Sequence, residues 1–469
     1  AASDVYKRQA LAPTDSWRSP MIEHEFDAIV IGSGTSAYYT IDGLDQDRRR
    51  KIAVIDERPY GGTCALRGCQ PKKYLVSNAE AVAMANHLNG RGINGLPTTD
   101  WKALQELKNE FLHGRSQADV EQWKNRGVAT FHGSARMISD YEVKVGDEIL
   151  KAKNIILATG ALPRRSNFEG NEFVNDSEFF LNLPHLPERI VFIGGGYISF
   201  EFGHIAARAG AREVVIVHRS SRPLKAFDSD IVATIMKASK AANINVRLDT
   251  LPVRVTKAEA GYLLHTSSGE TYPTDLIIEA TGRVPNLTVL AGGMGNVEQS
   301  PRGVVVDEYL QSTTNPCVYA IGDCAATPYM LAPVADIEGQ TAAHNILHGN
   351  KRMMDYSVIP SAVFTIPSIG SVGLTEEQAR ERGGDFRVNH GETARWPSSK
   401  RIGEEHAAYK IIIDNTTDLI IGAHIARHNA SEVINAFALA MKFQIKASDL
   451  ADFIWAYPTY TSDLKYMVK

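Results

Sequence analysis

Residues 26–34 read FDAIVIGSG, a short run of apolar residues that ends abruptly in glycine. Such a run is typical of a buried parallel strand followed by a tight turn. A helix-compatible stretch follows, and a second apolar run, IAVID, ends at Asp56. The same order of strand, glycine turn, helix and strand returns at residues 189–196 (RIVFIGGG) and 213–217 (EVVIV). This repeat predicts an α/β fold with two Rossmann-like dinucleotide-binding domains.

The rest of the chain is divided around these two units. Apolar runs predict further strands, which are residues 141–150, 154–159, 276–282 and 318–322. From about Tyr356 the pattern changes to alternating strands followed by apolar helices, which predicts a third, α+β domain. The predicted boundaries are residues 24–155 with 283–350 for the first domain, 156–282 for the second and 355–469 for the third. The polar residues 1–23 are interpreted as a disordered tail or an expression remnant outside the fold.

Composition restricts the function classes. The 469 residues suggest about three domains, and 44% hydrophobic with 22% charged residues is ordinary for a globular protein with a large core. A formal net charge of -4 leaves no basic field for a nucleic acid, and no apolar run approaches the roughly 20 residues that span a bilayer. The 4 cysteines, two of them close together, indicate a cytoplasmic protein in which such a pair is catalytic.

The first glycine turn has the pattern GxGxxA. Gly32 allows the tight turn, Gly34 leaves room for a pyrophosphate, and the small Ala37 lets the helix pack on the strand. Asp56 ends the next strand, where an acid is expected to bind a ribose hydroxyl. We therefore predict FAD at this turn, with an ordinary glycine turn as the alternative.

The second glycine turn, which includes Gly194 and Gly196, is not followed by an acid. The residues after its second strand include Arg219 and, slightly further on, Lys225. Cations at this place accommodate a 2′-phosphate, which a carboxylate would repel. The interpretation is an NADPH site, and a solvated loop with stray charges is the alternative.

Residues 61–72 read GGTCALRGCQPK. Cys64 and Cys69 can meet within a distorted first helical turn and form a disulfide, and the preceding glycines allow a planar ring to approach the backbone. A helix N-terminus and the nearby Lys72 both favour the reactive thiolate. The alternative is two buried cysteines beside a turn.

With this segment the chain resembles the class I pyridine nucleotide–disulfide oxidoreductases, the family of glutathione reductase, dihydrolipoyl dehydrogenase and mercuric reductase. The resemblance extends from about Phe26 to the C-terminus. It implies an FAD domain, an inserted NAD(P) domain, a C-terminal dimerisation domain and hence a homodimer. It also implies electron transfer from NADPH through FAD to the cysteine pair and on to a small-molecule acceptor.

Residue by residue, the resemblance makes Cys69 the thiol beside the flavin and Cys64 the thiol that meets the substrate. It makes Lys72 and Glu201 an ion pair beside the flavin and Tyr197 an aromatic lid. The expected cofactor-binding residues are Gly32, Gly34, Ala37, Asp56, Gly62, Thr63, Thr159, Gly160, Gly194, Gly196, Tyr197, Arg219, Lys225, Gly282, Arg283 and Asp323. No resident metal is expected.

One part of the family pattern is missing. Disulfide-reducing members carry HPTxxE near the C-terminus, whereas this chain has Tyr457 in place of the histidine and Ser462 in place of the glutamate. A tyrosine can donate a hydrogen bond but is a poor proton acceptor at neutral pH. Tyr457 is therefore a catalytic candidate that would not act as the base. Mercuric reductases resemble the chain in having tyrosine there, but their C-terminal cysteine pair is absent from this sequence. The arginines that hold glutathione match Thr40 and Gln340, which argues against glutathione.

The acceptor therefore stays open among another disulfide, a thiophilic metal ion and a quinone. An NAD-dependent dihydrolipoyl dehydrogenase or a glutathione reductase is the first alternative. A flavin-binding regulatory protein that has lost catalysis is the second, and the intact cysteines, Lys72 and Glu201 argue against it.

Overall fold

The computed structural model describes residues 22–46 and 48–469 of the chain, which form a mixed α/β fold. The elements of the first segment are β1 (Ile22–Ile31), α1 (Thr35–Leu44), β2 (Ile52–Asp56), α2 (Gly62–Arg67), α3 (Cys69–His87), α4 (Trp101–Leu112), α5 (Arg115–Asn125), β3 (Ala129–His132), β4 (Ala135–Met137), β5 (Glu142–Val145) and β6 (Glu148–Leu157). Strand β1 pairs in parallel with β2 and β6, and β2 pairs in parallel with β3. Residues 28–31 of β1 and 52–55 of β2 are buried, as expected for strands that are covered on both faces.

A second unit is inserted after this sheet. Its elements are β7 (Ala161–Pro163), α6 (Ser177–Leu181), β8 (Arg189–Ile193), α7 (Tyr197–Ala209), β9 (Glu213–Val217), α8 (Ser229–Ala241), β10 (Ile244–Arg247), β11 (Pro252–Lys257), β12 (Tyr262–Thr266), β13 (Thr271–Thr274), β14 (Leu276–Glu279) and β15 (Arg283–Pro285). Strands β10, β9, β8 and β14 form a parallel sheet in that order. Strand β15 pairs antiparallel with β7, so the chain leaves and re-enters the first unit through adjacent strands.

The chain then completes the first unit. The elements of this return are β16 (Gln299–Ser300), β17 (Gly303–Val304), β18 (Val318–Ala320) and α9 (Ala332–His348). Strand β18 pairs in parallel with β6 of the first sheet. The predicted return of the chain at residues 318–322 is therefore confirmed.

The third unit is an antiparallel sheet with helices. Its elements are β19 (Ser361–Val363), β20 (Ser368–Gly373), α10 (Glu376–Arg382), β21 (Phe386–Glu392), α11 (Pro397–Lys400), β22 (Ala408–Asp414), β23 (Ile420–Arg427), α12 (Ala430–Lys442), α13 (Ala447–Asp452) and α14 (Leu464–Met467). Lys410 of β22 is buried and connects this unit to the second one. Its Nζ lies 2.9 Å from Asp228 Oδ1, 2.5 Å from Asp230 Oδ2 and 2.7 Å from Glu376 Oε2.

Most predicted elements are found, and the differences have local causes. Residues 141–150, predicted as one strand, are divided between β5 and β6 because Gly146 turns the chain with φ 58°. The predicted domain boundary at residue 155 lies inside β6, which stays in the first sheet until Leu157. Most of the predicted tail lies outside the described residues, although residues 22–23 belong to β1. Within the described part of the chain, no helix is both long and apolar enough to cross a membrane.

Candidate active site

A deep cleft lies where the parallel strands of the first sheet end. It is lined by the last residue of β2 and by residues that follow β1, β6 and β18 in the chain, and these are Asp56, Gly32, Gly34, Thr159, Gly160 and Asp323. The cysteine segment and the second unit complete its walls with Gly62, Thr63, Cys64, Cys69, Lys72, Tyr197, Glu201 and Arg283. The carboxyl ends of parallel strands are the usual place for a ligand in an open α/β sheet.

Two glycines in this cleft allow backbones to pack against each other. Gly32 has φ 110°, and a Cβ there would lie 2.1 Å from the carbonyl oxygen of Ala158. Gly62 has φ 73°, and a Cβ there would lie 2.3 Å from Gly34 Cα. A Cβ on Gly34 itself would make only an ordinary contact of 3.8 Å with Gly62. The bare backbone at Gly34 is therefore not needed for protein packing, and it leaves room for a dinucleotide in the cleft.

Asp56 is held in place at the end of β2. The Ser33 hydroxyl donates to its carboxylate, and the Arg58 N–H donates to Oδ1 over 2.8 Å. The Arg58 guanidinium in turn binds Glu178, with 2.5 Å between Nη2 and Oε2. Sequence reasoning did not select Ser33 or Arg58, although Ser33 stands inside the glycine turn. The carboxylate at the end of the second strand is thus preorganised at the cleft wall.

The two cysteines lie on different helices. Cys64 belongs to α2, which ends at Arg67, and Cys69 is the first residue of α3. The two thiols meet as predicted, since they share a hydrogen bond. They do not share one helical turn, because Gly68, with φ -146° and ψ -110°, interrupts the helix between them. Both cysteines are free thiols in the structure, and Cys69 is exposed to the cleft.

The two thiols differ in acidity. The pKa of Cys69 is lowered from 9.0 to about 7, first by the hydrogen bond from the Cys64 thiol and also by the charge of Lys72. The pKa of Cys64 is raised, first because it is the donor in that hydrogen bond and then because it is partly buried. At neutral pH the geometry therefore favours a thiolate on Cys69 and a protonated thiol on Cys64.

Lys72 joins the cysteine helix to the second unit. Its Nζ lies 2.8 Å from both carboxylate oxygens of Glu201 on α7, and Glu201 also accepts a hydrogen bond of 2.9 Å from the N–H of Phe364. Glu201 is buried, and Tyr197, one turn earlier on α7, lines the same cleft. The ion pair predicted from the sequence is therefore present, with Phe364 as a partner that the sequence did not indicate.

The second glycine turn does not itself line this cleft, although it directly precedes Tyr197, which does. A Cβ on Gly194 would lie 2.4 Å from the carbonyl oxygen of Ala280, and Gly196 is the N-cap of α7. After β9, the ring of His218 packs on Gly195 in place of an acid. Arg219 and Lys225 are exposed, and neither forms an ion pair with another residue in the described ranges 22–46 and 48–469.

Three further residues predicted for the site, Ala37, Gly282 and Tyr457, do not line the cleft. Ala37 is fully buried in α1, where it packs and does not line the cleft. Gly282, with φ 120°, precedes β15, whose Arg283 side chain donates to the carbonyl oxygen of Ala161. Tyr457 is 72% exposed on the third unit and does not line the cleft of its own chain.

Thr40 and His424 are both buried in the structure. Thr40 is fully buried, and its hydroxyl donates to the carbonyl oxygen of Ser36 over 2.9 Å. The absence of arginine at Thr40 and Gln340 stays a prediction against glutathione. His424, which is buried between Ser371 Oγ and the carbonyl oxygen of Leu374, has a structural role.

Comparison with known proteins agrees with this architecture. Residues 26–339 match the family model described as pyridine nucleotide-disulphide oxidoreductase, and residues 359–468 match the dimerisation domain of the same family. The chain is 31% identical over 449 residues to a glutathione reductase of Burkholderia cepacia, covering 94% of this chain and 98% of that protein. It is also 31% identical over 454 residues to a mercuric reductase of Bacillus cereus, covering 95% of this chain and 71% of that protein.

A solved structure is similar throughout. The copper(II) complex of the HOCl-induced flavoprotein disulfide reductase RclA from Escherichia coli superimposes with a TM-score of 0.86 at 26% sequence identity. The match covers 95% of this chain and 99% of that one. The arrangement of two dinucleotide-binding units and a C-terminal unit is therefore shared with a flavoprotein.

Proposed function

This chain belongs to the pyridine nucleotide-disulphide oxidoreductase family, and from that membership we propose an NADPH-dependent reductase whose electron acceptor is a thiophilic metal ion. As a member of the family, it is a flavin enzyme that uses FAD and NAD(P)H and acts on sulfur groups. The choice of NADPH and the nature of the acceptor are the proposed parts. The observation that carries the acceptor is the thiol pair at the cleft, of which Cys69 is exposed and Cys64 half-buried, in a chain that lacks the proton-handling dyad.

The residues of the cleft fit FAD. The bare backbone at Gly34, the positioned carboxylate of Asp56 and the half-buried Asp323 are the groups that we assign to the dinucleotide. Burial raises the pKa of Asp323, which suits a carboxyl that hydrogen-bonds to a hydroxyl. The cofactor pair supplies two-electron transfer from nicotinamide to sulfur.

The chain's own groups orient that transfer. We assign Cys69 to the flavin side because it begins α3, where the backbone N–H groups and Lys72 favour its thiolate. Lys72 and Glu201 form an ion pair at the same wall of the cleft, and Tyr197 of α7 lines that wall beside them. Cys64, which keeps its proton, is assigned to the acceptor.

NADPH is favoured over NADH by the loop after β9. Arg219 and Lys225 extend from this loop as cations that are not neutralised by any carboxylate of the described chain. A 2′-phosphate brings the charge that such a pair lacks. The remaining nucleotide contacts assigned here are Gly194 and Gly196.

A metal acceptor fits the altered C-terminal segment. Disulfide exchange needs a proton for the departing thiolate, and a positioned acid or base typically contributes about 10²–10⁴-fold to the rate. A thiophilic ion instead binds thiolates directly and displaces their protons, so it needs no such group. One NADPH carries two electrons, enough to reduce one mercury(II) ion to mercury(0) or two copper(II) ions to copper(I). Relatives named mercuric reductase and the copper(II) complex of RclA support this class of acceptor.

A homodimer completes the proposal. The third unit matches a dimerisation domain, and it exposes large apolar side chains such as Phe443, Phe453 and Ile454, the last 92% exposed. Tyr457 lies in the same segment. If a second copy of the chain packs on these apolar side chains, Tyr457 lies at the interface and not in solvent. The sparse use of cysteine supports the cytoplasm as the compartment.

The test compares acceptors under identical conditions. NADPH consumption by the FAD-loaded enzyme is measured anaerobically with mercury(II), copper(II), glutathione disulfide and lipoamide. We expect turnover with a metal ion, and its loss in Cys64→Ser while NADPH still reduces the flavin. Faster turnover of either disulfide than of any metal ion would overturn the acceptor.

A double variant serves as the matched control. Tyr457→His with Ser462→Glu restores the missing dyad, so it is expected to raise disulfide turnover at least tenfold without raising metal turnover. An equal rise for both acceptors would show that Tyr457 does not distinguish them.

A further inference from the structure

A second cavity of about 650 Å³ lies along the C-terminal half of α3, whereas the cysteine cleft lies at the N-terminal end of that helix. It is bounded by the C-terminal half of α3, the ends of α7 and α8, and loops of the third unit. Such a volume is typical of a small-molecule site. None of the groups assigned above to electron transfer lines it.

Arg208 on the last turn of α7 lines this cavity without a carboxylate partner among the described residues. Its Nη1 lies 3.2 Å from His204 Nδ1, and its Nη2 donates to the carbonyl oxygen of Ile366 over 3.3 Å. Both partners are neutral. The Ile366 group is a backbone carbonyl, and burial lowers the pKa of His204 well below its ordinary value. Burial lowers the pKa of Arg208 itself to about 10, so the guanidinium remains charged at neutral pH. A partly buried cation held only by neutral acceptors lacks its counter-charge.

The other polar groups of the cavity do not provide that charge. Glu404 accepts hydrogen bonds from Ser399 Oγ over 2.7 Å and from the backbone N–H of His428 over 2.5 Å, so its oxygens are engaged. Glu405 is exposed, and Glu80 has its pKa raised by burial. None of these carboxylates contributes to the charge state of Arg208.

His87 at the end of α3 lies close enough to Arg208 for the guanidinium to affect it. Burial and then the charge of Arg208 lower the pKa of His87, while Glu405 on the same wall raises it and His406 lowers it. An anion between the two side chains would accept hydrogen bonds from both. The rest of the wall includes the apolar side chains of Ala83, Met84, Leu96, Ala238 and Ile402.

We propose that this cavity is a binding site for a small organic anion. Its carboxylate or phosphate group binds Arg208 and His87, and its apolar body packs against the side chains of α3 and α8. A charged hydrogen bond to a guanidinium is strong when it is shielded from water. Because its walls belong to three units of the fold, an anion here would also hold α3 and α7 together.

The test uses calorimetric titration of the FAD-loaded enzyme with saturating NADP⁺, so that the nucleotide sites are filled. Phenyl phosphate and benzoate are the anionic probes, and benzyl alcohol is the neutral control. We expect at least one anion to bind at least tenfold more tightly than benzyl alcohol, and Arg208→Gln to weaken that binding at least tenfold. The preferred probe identifies the anionic group.

Two further variants keep the result decisive. Arg212→Gln, which alters an exposed arginine paired with Glu188 just beyond α7, should bind the probes as the unchanged chain does. His87→Gln should weaken anion binding severalfold, and it decides the matter if Arg208→Gln does not retain FAD. Three results would overturn the site. The first is equal binding of benzyl alcohol and the anions, and the second is unchanged anion binding in His87→Gln or Arg208→Gln. The third is anion binding that Arg212→Gln weakens as much as Arg208→Gln does.

Discussion

Replacing Cys64 by alanine is expected to raise the pKa of Cys69. In the structure the main influence that lowers this pKa is the hydrogen bond that the Cys64 thiol donates, with Lys72 as the next favourable contribution. Cys64→Ala removes the donor and leaves Lys72 in place. Cys64→Ser keeps a hydroxyl donor, so it is the matched control.

The expected rise in the pKa of Cys69 is judged from two values, its pKa with the hydrogen bond and the pKa of an ordinary thiol. The pKa of Cys69 is about 7 with the hydrogen bond and 9.0 for an ordinary thiol. Because Lys72 remains, we expect Cys64→Ala to raise the pKa by roughly one to two pH units. At pH 7 the ionised fraction would then fall from about one half to between about one tenth and one hundredth. A less acidic thiolate is also more nucleophilic, which offsets part of the loss at any single pH.

The midpoint of a pH profile therefore measures the effect better than one rate. Alkylation of Cys69 by iodoacetamide is followed between pH 5 and 10 by mass spectrometry of its peptide. We expect the midpoint to move upward in Cys64→Ala and to stay near the unchanged chain's value in Cys64→Ser. An unchanged midpoint in Cys64→Ala would mean that the hydrogen bond does not set the acidity of Cys69.

Three other perturbations test separate parts of the structure. Gly34→Ala should fold normally but retain less FAD, whereas Gly32→Ala should lose stability itself because its Cβ meets the carbonyl oxygen of Ala158; melting temperature and flavin content separate the two. Arg219→Glu should raise the KM for NADPH at least tenfold and leave that for NADH nearly unchanged, and equal effects in steady-state assays would refute a 2′-phosphate site. Lys410→Met should cost about 3–5 kcal/mol in chemical unfolding. It leaves the buried Asp228 without its cation. Lys410 helps lower the pKa of Asp228 and Glu376 in the folded chain, and the unchanged chain loses that stabilisation as pH falls through the ordinary titration range of these carboxylates. The variant lacks it from the start and should therefore lose less stability than the unchanged chain between about pH 5 and pH 2.

The flavin half of the molecule could be predicted because its residues occur in continuous motifs. A strand, a glycine turn and an acid at the end of the next strand determine one another's positions in an α/β sheet. The structure accordingly brings Gly32, Asp56 and the cysteine segment to one cleft. The Lys72–Glu201 contact, which joins residues 129 positions apart, came from the family resemblance.

The remaining features depend on tertiary contacts that no local pattern contains. The different acidities of the two cysteines follow from the helix break at Gly68 and from the direction of one hydrogen bond. The sequence indicates a reactive pair but not which member holds the proton. In the same way Arg208 is an ordinary helical arginine in the sequence, and its missing counter-charge becomes visible only once α3 and the third unit surround it.

The acceptor is harder to predict because Tyr457, which we propose as the group that decides it, is on a different part of the surface from the thiols. Tyr457 does not line the cleft that contains Cys64 in the same chain, and it lies among exposed apolar side chains of the unit that matches a dimerisation domain. If two copies join through that surface, the acceptor site combines a thiol of one chain with a tyrosine of the other. In that case motifs within one chain specify the electron donor, while the acceptor depends on an interface between two chains. At that interface Tyr457 and Ser462 stand in place of the proton-handling histidine and glutamate. A change at Tyr457 should accordingly alter acceptor preference without altering flavin reduction by NADPH, which separates the two halves of the reaction experimentally.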